Sequence, residues 1–211
     1  MNNVDPRELR ATARAVIRTL WAVPNSKYSD LRIAVIGGLA RIHHLPGRAT
    51  HDANFVVETS EMAIPPNIQQ DLIDHCRPNY GHFSYDRTLF YHHYITPQGV
   101  EGRCRVDFFP SACGPYLPAA ALRVRDISTC SIPYISREDL IFFKIYAYVT
   151  RHRRDKEEVD AVDARDLLAM NPAPLTLTKD QRKVVREGLE AVMSHFQNLP
   201  QSWWTQRLGL P

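Results

Sequence analysis

A chain of 211 residues with 44% hydrophobic and 23% charged residues is long enough for one substantial core, or for a medium α/β domain with a smaller helical one, and too short for two large domains. No apolar run approaches the ~20 residues that cross a bilayer. The start Met1-Asn2-Asn3-Val4-Asp5-Pro6-Arg7-Glu8 also lacks the basic start, apolar stretch and cleavage site of a secretory signal, so no membrane partner and a cytoplasmic location are expected. A net charge of +3 is too small to establish a nucleic-acid partner.

In chain order, Leu9, Ala13, Val16, Ile17 and Leu20 recur at three-to-four spacing and predict an amphipathic helix from Pro6 to Leu20, capped by Asp5 and ending before Pro24. Leu31 to Ile36 is short and rich in β-branched residues, and Gly37-Gly38 stops it, which predicts a buried strand. A second helix is expected from those glycines to about His44, a turn at Pro46-Gly47, a second strand over Asn54 to Glu58 and a helix from Ile68 to Cys76. The aromatic and β-branched stretch that follows predicts an antiparallel pair, Leu89 to Ile95 against Gly102 to Phe109. After a loop from Pro110 to Pro118, a short strand is expected near Leu122 to Ile127.

Ser136-Arg137-Glu138-Asp139 has capping-box character ahead of the apolar face of Leu140, Phe143 and Ile145, which starts a helical region. Further helices are expected at about Lys156 to Met170 and Lys179 to Phe196. The fold class is therefore α/β (α+β), a mixed sheet with flanking helices over residues 1 to 132, with a C-terminal helical region packed on it from 133 to 211. Cys76, Cys104, Cys113 and Cys130 form no Cys-x-x-Cys pair and suit buried structural thiols.

The chemistry concentrates after the first strand. Gly37 and Gly38 open a helix, so backbone N–H groups and the positive helix end can face a phosphate; the same pair also serves as a plain tight turn. Thirteen residues separate Gly38 from Asp52, and Asn54 follows at i+2 on the same strand face. Asp107 stands between Val106 and Phe108, an acid costly to bury without a cation or hydrogen-bond donors. Convergence of Asp52, Asn54 and Asp107 beside a phosphate cradle would form a magnesium site, because Mg²⁺ takes hard oxygen ligands from carboxylates and substrate phosphates.

Gly37-Gly38, then Arg48-Ala49-Thr50-His51-Asp52-Ala53-Asn54, then Val106-Asp107-Phe108 together resemble the nucleotidyltransferase superfamily, and look closest to its AbiEii-like branch of bacterial toxins and related proteins. The likeness runs over about residues 30 to 168 and includes Ile132-Pro133-Tyr134-Ile135-Ser136-Arg137-Glu138-Asp139-Leu140, with Lys144, Arg151, Lys156 and Asp160 similar to residues of the family's helical part. It implies Asp52 and Asp107 as metal ligands and catalytic residues with Asn54 and Lys144. It further implies Gly37, Gly38, Arg48, Thr50, Arg151 and Arg154 at substrate phosphates, a nucleoside triphosphate with Mg²⁺ as cofactors, and a nucleotide or RNA/tRNA-type substrate. The family's second acid is Asn54 here, which removes a charge where two cations would sit.

The functional expectation is a transferase with altered metal chemistry, set against a catalytically inactive binding or scaffold protein and a toxin-like regulator. His43, His44, His51, His92 and His93 cluster near the site in sequence and are read either as acid/base groups or as hydrogen-bonded structural residues. The run Arg151-His152-Arg153-Arg154 is read as an RNA contact or as a solvated helix end.

Overall fold

The computed structural model describes residues 4–59, 61–151 and 154–211. It divides into two units: one runs up to Cys113 and continues through Leu117–Ile135, and the other comprises Gly114–Tyr116 and Ser136–Pro211.

The first unit opens with α1 (Pro6–Ala22), where the Asp5 carboxylate accepts from the Arg7 N–H and Leu9, Ala13, Val16 and Leu20 are buried. Strand β1 (Arg32–Ile36) leads directly into α2 (Gly37–His44), and β2 (Asp52–Val57) follows. Then come α3 (Ile68–His75), β3 (His82–Asp86), β4 (Leu89–Ile95), β5 (Glu101–Pro110) and β6 (Leu122–Arg123). The six strands form one mixed sheet in the order β3-β4-β5-β2-β1-β6. Only β2 and β5 pair in parallel; the other neighbours are antiparallel.

The centre of this sheet is buried on both faces, which is why β1 and β2 read as unbroken apolar runs rather than alternating ones. Ala34 and Val56 pack with Ala121, Ile36 and Leu117 on one side. Ile33, Val35, Phe55 and Val57, none of them exposed, fill the other. Beyond the short β6, the chain returns to β1: Val35 N–H donates to the Pro133 carbonyl, and the Val35 carbonyl accepts from Ile135 N–H.

Three features of this unit differ from the sequence reading. Strand β3 is an edge strand with only Phe83 buried, so it carries little of the apolar signal that marks a strand. The expected strand over Leu122 to Ile127 shortens to two residues because Val124–Asp126 turns into a 3₁₀ helix. Only Cys104 of the four cysteines is buried; Cys76 and Cys113 are half-buried and Cys130 is exposed, and all four are free thiols.

The second unit is helical: α4 (Arg137–Thr150), α5 (Arg154–Ala169), α6 (Lys179–Ser194) and α7 (Gln201–Leu208). Ser136 caps α4 through Asp139 N–H, and Thr178 with Gln181 forms a full capping box on α6. Asp139 does not reach back to its own cap residue; its carboxylate accepts from Tyr116 Oη at 2.8 Å and Gln181 Nε2 at 2.9 Å. Gly188 lets α6 approach Ile145 of α4 closely, since a Cβ there would lie 2.8 Å from the isoleucine methyl. Helix α7, not foreseen, buries Trp204 and Leu208.

No helix among the described residues is long and apolar enough to cross a membrane.

Candidate functional site

Register alone brings the candidate polar residues together. Strand β2 begins at Asp52, and its alternation sends Asp52 and Asn54 to one face while Ala53 and Phe55 enter the core. The parallel pairing of β2 with β5 sets Asp52 opposite Arg105 and Asn54 opposite Asp107. On the other side of β2, Asn54 faces Ile36, the last residue of β1. The turn into α2 therefore stands against the same end of the sheet.

Gly37 adopts a left-handed φ of 66°, and a Cβ there would lie 2.7 Å from Asn54 Nδ2. At Gly38 a Cβ would lie 2.3 Å from Thr50 Oγ1. Both glycines thus serve first as sites of close approach, with Thr50 and Asn54 filling the space before them. Ile36, the N-cap residue of α2, makes no side-chain cap hydrogen bond, and first-turn N–H groups have no partner within a helix.

Hydrogen bonds fix the acids. Thr50 Oγ1 donates to Asp52 Oδ1 at 2.9 Å, and Asn54 Nδ2 donates to the same oxygen at 3.2 Å. The other Asp52 oxygen accepts from Arg105 Nη2 at 2.8 Å. Arg105 also reaches Asp107 Oδ2, from Nε at 2.9 Å and Nη2 at 2.7 Å. The guanidinium therefore lies between the two carboxylates. Burial raises the Asp107 carboxyl above its ordinary range; Arg105 pulls it down and Asp52 pushes it further up. Burial works against the charge on Arg105, but Asp107 and Asp52 outweigh it and raise its pKa.

The remaining candidates lie elsewhere. Arg48 is half-buried in the loop before β2, and His51 is exposed. His43 stacks on Tyr134 with ring centroids 4.0 Å apart, and His44 Nε2 donates to the Ile135 carbonyl at 2.7 Å. His92 faces α1, where its Nδ1 accepts from the Thr12 hydroxyl at 2.9 Å, and on its other side its Nε2–H donates to the Tyr80 carbonyl. A carbonyl can only accept, so this pair of partners fixes the neutral tautomer. Burial lowers the His92 pKa to about 4, with Tyr80 opposing and His93 and His82 adding to the fall. His93 shares a hydrogen bond with Ser84 and stacks on His82.

In the helical unit, Lys144 Nζ is 2.7 Å from Asp160 and 2.8 Å from Asp163, all three buried. Arg151 meets Asp160 at 3.0 Å. These contacts give Lys144 and Arg151 structural work within their own unit. Arg154 and Lys156 are exposed at the start of α5, and His152 and Arg153 of the basic run lie outside the described residues.

Arg105 was missed by sequence reading. The signal was present: Arg105, Val106 and Asp107 alternate on a strand, so an arginine two residues from an acid must share its face. With Arg105 on Asp52 and Asp107 and an amide at position 54, the donor set as arranged does not suit a pair of divalent ions. No group of three or more His, Cys, Asp or Glu suited to a metal occurs among the described residues.

No family model matches the sequence, and no curated protein is significantly similar to it. Among solved structures, the fold is similar to that of an antigenic nucleotidyltransferase-like protein from Paracoccidioides brasiliensis, at 15% sequence identity and a TM-score of 0.59, covering 96% of this chain and 98% of that one. The six-stranded mixed sheet, the glycine turn from β1 into α2 and this likeness together establish that the chain has the nucleotidyltransferase-like fold.

Proposed function

We propose that the chain binds a nucleotide, or the phosphate-bearing end of an RNA-type substrate, at the end of the sheet where Gly37, Gly38, Thr50, Asp52, Asn54 and Asp107 meet, and acts there as a transferase with altered metal chemistry. The observation that carries this reading is the convergence itself. Two strands far apart in sequence place Asp52, Asn54 and Asp107 on one face, beside a helix N-terminus whose N-cap residue, Ile36, makes no side-chain cap hydrogen bond. Backbone N–H groups at such a terminus hold phosphate oxygens. Arg48 stands on the adjoining loop as a further phosphate contact, and the lead-in Arg48-Ala49-Thr50-His51-Asp52 supports the AbiEii-like branch.

The chain's own groups define what chemistry is available. Asp52 is held in one orientation by Thr50 and Asn54 and is suited to positioning. Asp107 keeps one oxygen clear of Arg105, since both arginine contacts fall on Oδ2, and the other can accept a hydrogen bond from an acceptor hydroxyl.

A second reading, binding without turnover, is favoured by the double tie of Arg105 to both acids. Isothermal titration of ATP, GTP, CTP and UTP with and without Mg²⁺, followed by incubation of any bound nucleotide with RNA, separates the two. Binding with label transfer supports the transferase. Binding alone supports the second reading, and no binding of any nucleotide or RNA end overturns both.

A further inference from the structure

Two carboxylates set diagonally on one face of neighbouring strands favour a cation between them, because each makes the other harder to ionise. Strand register supplies one from within the chain. Arg105 is the cross-strand partner of Asp52 and stands two residues before Asp107, so its side chain emerges on the same face as both. Its guanidinium then makes three contacts of 2.7 to 2.9 Å, one to Asp52 and two to Asp107. The third position, where an acid would complete a metal set, holds an amide that donates to Asp52 rather than offering charge.

Two carboxylates and one guanidinium leave a single negative charge, whereas three carboxylates without the arginine would carry three. A hard divalent ion gives up its hydration water only to several anionic oxygens in the right geometry. Here it would also have to sit against a guanidinium, cation beside cation.

We propose that Arg105 is the resident cation of this site, taking the place of a divalent ion between Asp52 and Asp107, so that the site takes up no Mg²⁺ of its own. The inference deepens the reading of this site as a nucleotide site, but its test uses metal alone. A failed nucleotide titration would therefore overturn the nucleotide reading and leave this one standing.

The test is titration of the metal-free full-length chain with MgCl₂ and MnCl₂ in the absence of nucleotide, with melting temperature as a second readout. The wild type is expected to give no saturable binding and no stabilisation. Arg105→Met removes the competing charge with little change in bulk, and should bind Mn²⁺ at least about tenfold more tightly than the wild type; adding Asp107→Asn to that variant should abolish the gain. Wild-type binding as tight as that of Arg105→Met would overturn the proposal, and so would an Arg105→Met protein that folds and gains nothing. Should that variant not fold, the wild type decides alone. Stoichiometric Mn²⁺ broadening the amide resonances of residues 52–54 and 105–107 overturns the proposal, and their staying sharp supports it.

Discussion

Gly38 and Thr50 interlock: the hydroxyl of Thr50 occupies the place a side chain at Gly38 would need, 2.3 Å from its ideal Cβ. The same hydroxyl donates to Asp52, so the glycine turn and the acid are coupled through one residue. Gly38→Ala should push Thr50 aside, destabilise the first unit by about 1–3 kcal/mol as overpacking does, and loosen Asp52. Chemical denaturation of the full chain measures the first effect. Thr50→Ala in the Gly38→Ala background removes the hydroxyl, the atom nearest the new Cβ, and should recover part of the loss, and an unchanged midpoint for Gly38→Ala would mean that the turn yields without cost.

How much of this was legible depends on what each residue signals by itself. Helix α1 was readable because Asp5, Pro6 and a regular apolar face all agree, and the cap forms as expected. The two central strands were readable because burial on both faces leaves an apolar run. Strand β3 was not, because its exposed residues owe their conformation to β4, a pairing that leaves no local mark. Helix α7 depends in the same way on the burial of Trp204. At the site, Asp107 stands out as an acid between apolar neighbours, and Asp52 by its spacing from the glycine pair. Arg105 does not, because an arginine on a strand reads as a surface cation until parallel register sets it against Asp52. Lys144 shows another limit: the family resemblance implies a role for it at the site, and its partners here are Asp160 and Asp163 on the next helix.

Lys144→Met leaves Asp160 and Asp163, each 1% exposed at the side chain, without the lysine they share, while Arg151 stays beside Asp160. Removing one partner of a buried ion pair costs about 3–5 kcal/mol, because the remaining charge stays buried. The melting temperature should fall by roughly 2–4 °C for each kcal/mol in a chain of this size. Replacing Asp163 with Asn in the Lys144→Met protein should recover part of the loss. A variant as stable as the wild type would show that Lys144 is not held by these acids.

His92 predicts a pH dependence of stability. Its pKa is lowered to about 4 in the folded chain by burial, whereas an exposed histidine titrates near about 6.5. Between these values the unfolded chain binds a proton that the folded chain refuses, so stability rises with pH across the window. The contribution is fully present above about pH 6.5, and up to about 3 kcal/mol is lost on descending to pH 4. Urea unfolding at intervals from pH 7.5 to 4 should show this slope, and His92→Gln should flatten it while lowering stability throughout. An identical slope in the variant would assign the dependence to other groups.

Asn54 gives the most discriminating substitution, because its amide donates to Asp52 Oδ1 at 3.2 Å and faces Asp107 across the parallel pair. Asn54→Asp replaces a donor with a third carboxylate, which loses that hydrogen bond and adds repulsion toward two acids that already share one arginine. Without added metal, stability should fall by about 1–3 kcal/mol. Mg²⁺ should return part of that loss, because the new oxygen supplies charge of the kind a divalent ion needs, while the wild type should not respond to the ion. Melting curves of both proteins with EDTA and with Mg²⁺ give all four values. A variant that is more stable than the wild type in EDTA would mean that the amide opposes the fold rather than supporting it. A loss that Mg²⁺ leaves untouched would mean that Arg105 still holds the space between Asp52 and Asp107 even after the third acid is supplied, and would place the barrier to metal binding in the arginine rather than in residue 54.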